Sequence, residues 1–186
     1  MKRIILASAA LALIAGPALA DNTLAFNLDG DVSEICGVYN FRGTALDIGF
    51  GDLATVETSV EVVRDQPGTN SYVCNAPGGF TRQITSANNG SLNRAGTQGG
   101  ANNSIAYTIS HQGVGGRGAF ANKALTSAQT DTFPGDPSYL AGQSGRLTVR
   151  LNGVLQSAVG TVNGANRTTV FAGDYTDVIT IALNGN

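Results

Sequence analysis

Tryptophan is missing from this chain, histidine occurs once, and only 13% of the residues carry charge. Each shortage removes a class of function. A sugar-binding face built on stacked aromatics would draw on Trp and Tyr, and only five Tyr are present. A zinc site needs four ligands of the Cys, His or carboxylate type at fixed spacing, and two cysteines with His111 do not supply that spacing. Phosphate loops, EF-hand loops, G-x-S-x-G elbows and basic aromatic platforms for nucleic acid do not occur. No segment of twelve or more residues repeats its apolar positions at helical spacing. What fills the chain instead is glycine, 25 residues of it, with many Thr, Asn and Val, a composition that points to an all-β protein.

The first twenty residues read as an address. Lys2 and Arg3 precede an apolar run from Ile4 to Ile14, and Gly16-Pro17-Ala18-Leu19-Ala20 closes with a small-x-small cleavage site. The run is too short to span a bilayer as a helix. Cleavage after Ala20 is expected to leave 166 residues, enough for one domain with its own core. Nine basic residues then face 13 acidic ones, a net charge of −4, which disfavours nucleic acid and anionic membranes as partners. No second hydrophobic span follows, so the mature chain is expected beyond the membrane and not inserted in it. In that oxidising setting Cys36 and Cys74 read as one disulfide. Closing a loop of 38 residues would stabilise the fold by roughly 3–4 kcal/mol in the chain-entropy model.

Period-2 alternation recurs along the mature chain. At its start Leu24, Phe26, Leu28, Gly30 and Val32 alternate with polar or small residues, so 22–35 is expected as a strand. It is either the first strand of its own fold or one given to another subunit. Further strands are expected at 36–39, 44–49, 56–64, 71–74, 80–86 and 104–110. Residues 87–103 read as a surface loop, 112–118 as a mobile glycine-rich loop and 121–143 as a long irregular connection. Asn152-Gly153, between 146–151 and 154–159, is the strongest hairpin signal. The best strand comes last: from Tyr175 to Leu183, Tyr175, Asp177, Ile179, Ile181 and Leu183 share one face, with no Pro or Gly between them. Such a strand is expected to be paired along both edges, because a long free edge is a template for another chain. Short strands separated by turn chemistry predict a sandwich or barrel.

Candidate catalytic groups do not assemble. His111 stands at a strand end beside a glycine-rich loop and reads as a surface histidine. Asp29 with Asp31, or Asp174 with Asp177, are carboxylate pairs of the kind glycoside hydrolysis uses. The first pair lies on the polar side of a strand. The second lies at a turn and strand start, where Asp commonly caps backbone groups. No enzyme and no cofactor is expected.

Several stretches together resemble the spore coat protein U-like domains, subunits of chaperone–usher pili in Gram-negative bacteria. Gly173-Asp174-Tyr175-Thr176-Asp177 resembles the terminal G-x-Y-x-D motif of that family. Cys36 followed by Leu46-Asp47-Ile48-Gly49 resembles its early cysteine and L-x-F-G turn, and Val73-Cys74-Asn75 the second cysteine. The resemblance implies an immunoglobulin-like sandwich, residues 34–186, that lacks its last strand. It implies a groove beside the C-terminal strand, walled by Tyr175, Ile179, Ile181 and Leu183. A periplasmic chaperone would fill that groove first. The N-terminal strand of another pilin subunit, residues 21–33 with Leu24, Phe26, Leu28, Gly30 and Val32 as its apolar face, would then replace it after passage through an outer-membrane usher. A fimbrial subunit supporting adhesion or biofilm formation at the cell surface is the function this implies. A monomeric secreted sandwich that binds carbohydrate or another surface ligand is the alternative.

Overall fold

The computed structural model describes residues 26–157 and 166–186. The expected signal peptide, 1–20, and Leu24 lie outside them. Two compact units divide the chain between Val32 and Ser33. In the first, residues 26–32 form no strand, and Phe26, Leu28 and Val32 are 78%, 92% and 88% exposed. The alternation there is real, but none of the described strands pairs with it, and an unpaired strand gains no ladder hydrogen bonds.

The second unit is all-β, with antiparallel sheets and two short 3-10 turns at Leu53–Thr55 and Pro137–Tyr139. Its strands are β1 (Cys36–Tyr39), β2 (Glu61–Asp65), β3 (Asn70–Cys74), β4 (Phe80–Ser86), β5 (Ser91–Arg94), β6 (Ser104–His111), β7 (Phe120–Lys123), β8 (Gln129–Phe133), β9 (Gln143–Gly145), β10 (Leu147–Asn152), β11 (Leu155–Gln156), β12 (Arg167–Thr168), β13 (Tyr175–Thr176) and β14 (Ile179–Gly185). The largest sheet runs β13-β5-β6-β10-β2, with β7 also on β6. Smaller sheets run β14-β4-β8 and β1-β3-β9, and β11 pairs β12. Cys36 and Cys74 sit opposite one another in β1 and β3 and form the disulfide.

Alternation decides what faces inward. Ile105, Tyr107, Ile109 and His111 of β6 are buried, as are Leu147, Val149 and Leu151 of β10. All of these except His111 pack with Ile84 of β4 and the half-buried Ile179 and Ile181 of β14, a sheet-on-sheet core. A second apolar cluster joins Tyr72, Cys74, Ala76, Phe80, Val114, Phe133 and Tyr139. Phe80, Arg82 and Ile84 share the inward face of β4, so Arg82 stands where the two clusters meet.

Several expectations are corrected. Asn152-Gly153 makes no hairpin: β10 already pairs β6 on one edge and β2 on the other, and neither turn residue has positive φ. Gly153 instead lets Val56 approach, since a Cβ there would lie 2.1 Å from its carbonyl oxygen. Residues 121–143 are not an irregular connection but carry most of β7, all of β8 and the first residue of β9; these strands are short and polar, which hid them. β5 lies inside the expected loop 87–103, after a turn in which Asn89 and Gly90 have φ of 53° and 78°. Of the expected strand 56–64 only 61–64 is strand, extended by Asp65, because residues 57–60 form a turn closed by the Val60 N–H donating to the Glu57 carbonyl at 2.9 Å. Of residues 112–118, Gly113 and Val114 are buried and the rest are exposed. Finally, the last strand is broken at Asp177 and Val178: β13 pairs β5 in the large sheet, while β14 pairs β4 in another.

Candidate functional site: an apolar groove between two unpaired backbone edges

That change of sheet places the C-terminal segment along one wall of a cavity of about 1200 Å³. Its floor is the inner face of the large sheet, Ile105, Tyr107, Leu147 and Val149, with Val154. One wall is Val170 to Ile181. The opposite wall is Val38, Asn40 and the stretch from Gly43 to Ala54. The volume exceeds the roughly 300–1,000 Å³ of most small-molecule sites.

Both walls present unsatisfied backbone. On β14, the Ala87 N–H donates to the Val178 carbonyl and the Asn186 N–H to the Gly79 carbonyl, both at 3.0 Å. Even-numbered residues therefore turn their amides towards β4. By the alternation of antiparallel pairing, Ile179, Ile181 and Leu183 turn theirs to the other edge, which pairs with no strand among the described residues. Within the single chain this strand is thus paired along one edge only among the described residues, and the second edge stays open. Across the cavity, Leu46, Ile48 and Phe50 are half-buried while Ala45, Asp47 and Gly49 are exposed. The segment has the side-chain pattern of the strand expected at 44–49. It is not a strand, because from Thr44 to Gly51 no backbone–backbone hydrogen bond forms among the described residues. Packing of Ile48 and Phe50 on the core holds it, with Arg64 Nε donating to the Gly49 carbonyl at 3.3 Å.

The groove narrows at one end. β1 comes within 8 Å of β14, Cα to Cα, without pairing to it. An inserted strand needs flanking strands about 9.6 Å apart. The cavity runs along the segment from Tyr175 to Ile181, about 20 Å at 3.3 Å per residue. Of the residues expected on the wall, Tyr175, Ile179 and Ile181 line the cavity. Leu183 lies past its narrow end, packed on the second cluster with Val38 and Cys36. Asp29 and Asp31 belong to the exposed N-terminal segment. Asp174 is exposed, and its carbonyl accepts from the Ala95 N–H.

Beside the groove lies a buried polar chain that sequence reasoning missed. His111 is 2% exposed, not a surface residue. Its Nδ1 accepts from the Gly113 N–H at 2.8 Å and lies 3.0 Å from Arg82 Nη1, a donor. Nε2 must then carry the proton, donated to the Tyr72 hydroxyl at 2.6 Å. From Tyr72 the chain continues through Asn70 to Gln66 and Asn40, all three on the groove lining. Period-2 spacing between Phe80 and Ile84 was the available signal that Arg82 points inward.

Burial, reinforced by the Arg82 charge and opposed by Asp131, lowers the His111 pKa to about 4. Unfolded chains take up this proton near pH 6.5, native ones only near 4, so the native state is the poorer proton binder between them. The contribution is fully present above pH 6.5 and lost as pH falls towards 4, about 3 kcal/mol in all. Urea midpoints should fall across that window, and His111→Gln should flatten the fall. An unchanged slope in that variant would show that carboxylates alone carry it.

No protein-family model matches the chain, and neither does any curated protein sequence. A solved structure of a chaperone–tip adhesin complex, described as vital for synergistic activation of CFA/I fimbriae biogenesis, aligns with a TM-score of 0.44 at 10% identity. The alignment covers 81% of this chain and 41% of that one, so this chain spans less than half the length of its neighbour. Among the described residues no helix is long and apolar enough to cross a membrane, and no group of three or more His, Cys, Asp or Glu could hold a metal ion.

Proposed function

We propose that this chain is a non-enzymatic structural subunit of a chaperone–usher pilus, polymerising when a strand from another copy enters its groove. One observation carries the proposal: two stretches of unpaired backbone, the free edge of β14 and residues 44–51, line the same cavity, whose floor is the apolar inner face of the large sheet. An inserted strand would satisfy both edges and cover the core, which is β-strand addition. The incoming strand is residues 24–32 of the next copy, with Leu24, Phe26, Leu28, Gly30 and Val32 towards the groove and Asp29 and Asp31 outward. Burying three large apolar side chains contributes roughly 5–9 kcal/mol before ordering costs. Donor and acceptor surfaces differ, so the contact is head-to-tail and builds a fibre. Before assembly a periplasmic chaperone would occupy the groove, and an outer-membrane usher would pass subunits to the surface, where the fibre supports adhesion or biofilm formation.

Unboiled and boiled SDS gels of material sheared from cells that make this protein with its neighbouring genes test the proposal. A ladder of multimers that collapses to one band on boiling is expected. A single monomer band under both treatments, from cells that export the protein, would sink it and leave a monomeric ligand-binding module in its place.

A further inference from the structure

Asp177 sits where the C-terminal strand leaves the large sheet for the sheet of β4. The chain also crosses between these sheets at the turn after β4, residues 87–90, which leads into β5. Asp177 joins the two crossings. Its Oδ1 accepts the Asn88 N–H at 2.9 Å and the Val178 N–H at 2.7 Å. Its Oδ2 accepts the Ser86 hydroxyl at 2.6 Å and the Tyr107 hydroxyl at 2.5 Å. The Asn88 side chain closes the junction by donating to the Thr176 carbonyl at 2.9 Å, and Ser86 Oγ also accepts the Gly90 N–H at 2.7 Å.

All four donors to this carboxylate are neutral, and no Lys or Arg forms an ion pair with it among the described residues. A half-buried charge without a counter-ion is expensive unless hydrogen bonds replace its water, and here the four contacts do so. Burial, helped by the Asp177 contact, raises the Tyr107 pKa, so its hydroxyl stays a donor. Tyr107 is 3% exposed and forms part of the groove floor, and Asp177 itself lies on the lining. One side chain therefore ties floor to wall at the place where the wall changes sheet.

We propose that Asp177 is the positioning residue of the acceptor groove: it fixes the spacing of wall and floor so that a strand from a second copy can enter. This rests on the strand-acceptance function above. Without the four contacts, β13 and β14 are free to follow their separate sheets, and the wall between Tyr175 and Ile179 loses its set position. The same contacts serve fold stability, so the test has to separate acceptance from stability.

A fluorescent peptide of residues 22–32, titrated into the full-length oxidised chain, reports acceptance, and amide exchange of β4, β6 and β10 reports global stability. Asp177→Asn keeps the size but turns one oxygen into a donor facing donors. It is expected to weaken peptide binding at least about tenfold, with exchange raised at 175–181 and unchanged in the core strands. Tyr107→Phe, which removes one hydroxyl, serves if the first variant does not fold, and is expected to weaken binding about threefold to tenfold with the core strands again unchanged. Wild-type affinity in either folded variant would overturn the proposal. So would a loss of binding matched by faster exchange throughout β6 and β10, which is the signature of a merely structural residue. Failure of the wild-type chain to bind the peptide would instead remove strand acceptance itself, and this inference with it.

Discussion

Phe26→Asp should abolish the multimer ladder and leave the unfolding midpoint of the monomer where it was. The separation follows from where the side chain sits in each state. In the single chain Phe26 is 78% exposed and belongs to no strand, so replacing it removes no packing. Surface changes of this kind move stability by no more than about 0.5 kcal/mol. In the proposed fibre the same side chain faces an apolar floor. There the substitution forfeits roughly 1.5–3 kcal/mol of burial and adds the desolvation of a carboxylate with no basic partner, several kcal/mol more. Each 1.36 kcal/mol is a factor of about ten, so assembly should weaken by about three orders of magnitude or more. Phe26→Leu keeps most of the apolar surface and should keep the ladder, and Asn27→Asp, on the outward face, should barely change it. The readouts are the unboiled gel and the urea midpoint of the same preparations. A full ladder from Phe26→Asp would remove residues 24–32 as the donor. A ladder lost together with a lower monomer midpoint would mean that Phe26 serves its own fold.

How much of this was legible beforehand depends on the range of the signal. Local alternation located the strands whose inner faces make the core: Ile105, Tyr107 and Ile109 in one, Phe80 and Ile84 in another. Tyr175, Ile179 and Ile181 were legible as one face because period 2 holds through Asp177. The break in pairing at 177 and 178 was not, since it depends on which distant strand each half meets. Asn152-Gly153 misled for the same reason: the dipeptide favours a hairpin, but both edges of β10 were already taken. Residues 44–51 show the opposite case. Their alternation was visible, and the absence of a backbone partner, which makes the segment a groove wall, belongs to tertiary structure alone. His111 read as a surface residue because a polar type is read as exposed, yet it is buried together with Arg82. Only their mutual geometry makes burial tolerable, and composition does not encode it.

Arg82 carries the second large effect, and Arg82→Ala should lower the stability of the oxidised chain by about 3–5 kcal/mol. The guanidinium is fully buried between the two clusters. It pairs with Asp131, donates to the Gly118 carbonyl at 2.8 Å, and lies over the rings of Phe120 and Phe133 at 5.7 and 5.4 Å. Truncation leaves Asp131 without its cation, takes one donor from His111 Nδ1, and opens a void among aromatic residues. Asp131 is 35% exposed and can rehydrate, which places the expected loss nearer the lower end of that range. Arg82→Met separates the causes: it refills much of the volume but restores no charge, and since Nε of Arg82 has no partner, that part of the group is not missed. Met should therefore be clearly milder than Ala in the urea midpoint at pH 7.5. Equal losses would show that the ion pair, not the packing, dominates. The acid limb then gives an independent check. Because burial is the larger cause of the low His111 pKa and Arg82 the next, either variant should narrow the acid-sensitive window from its lower side without closing it. Acid sensitivity unchanged in both would assign the neutral imidazole to burial alone. The link from Arg82 through His111 and Tyr72 to the groove-lining Asn70 would then be a scaffold whose electrostatics are silent.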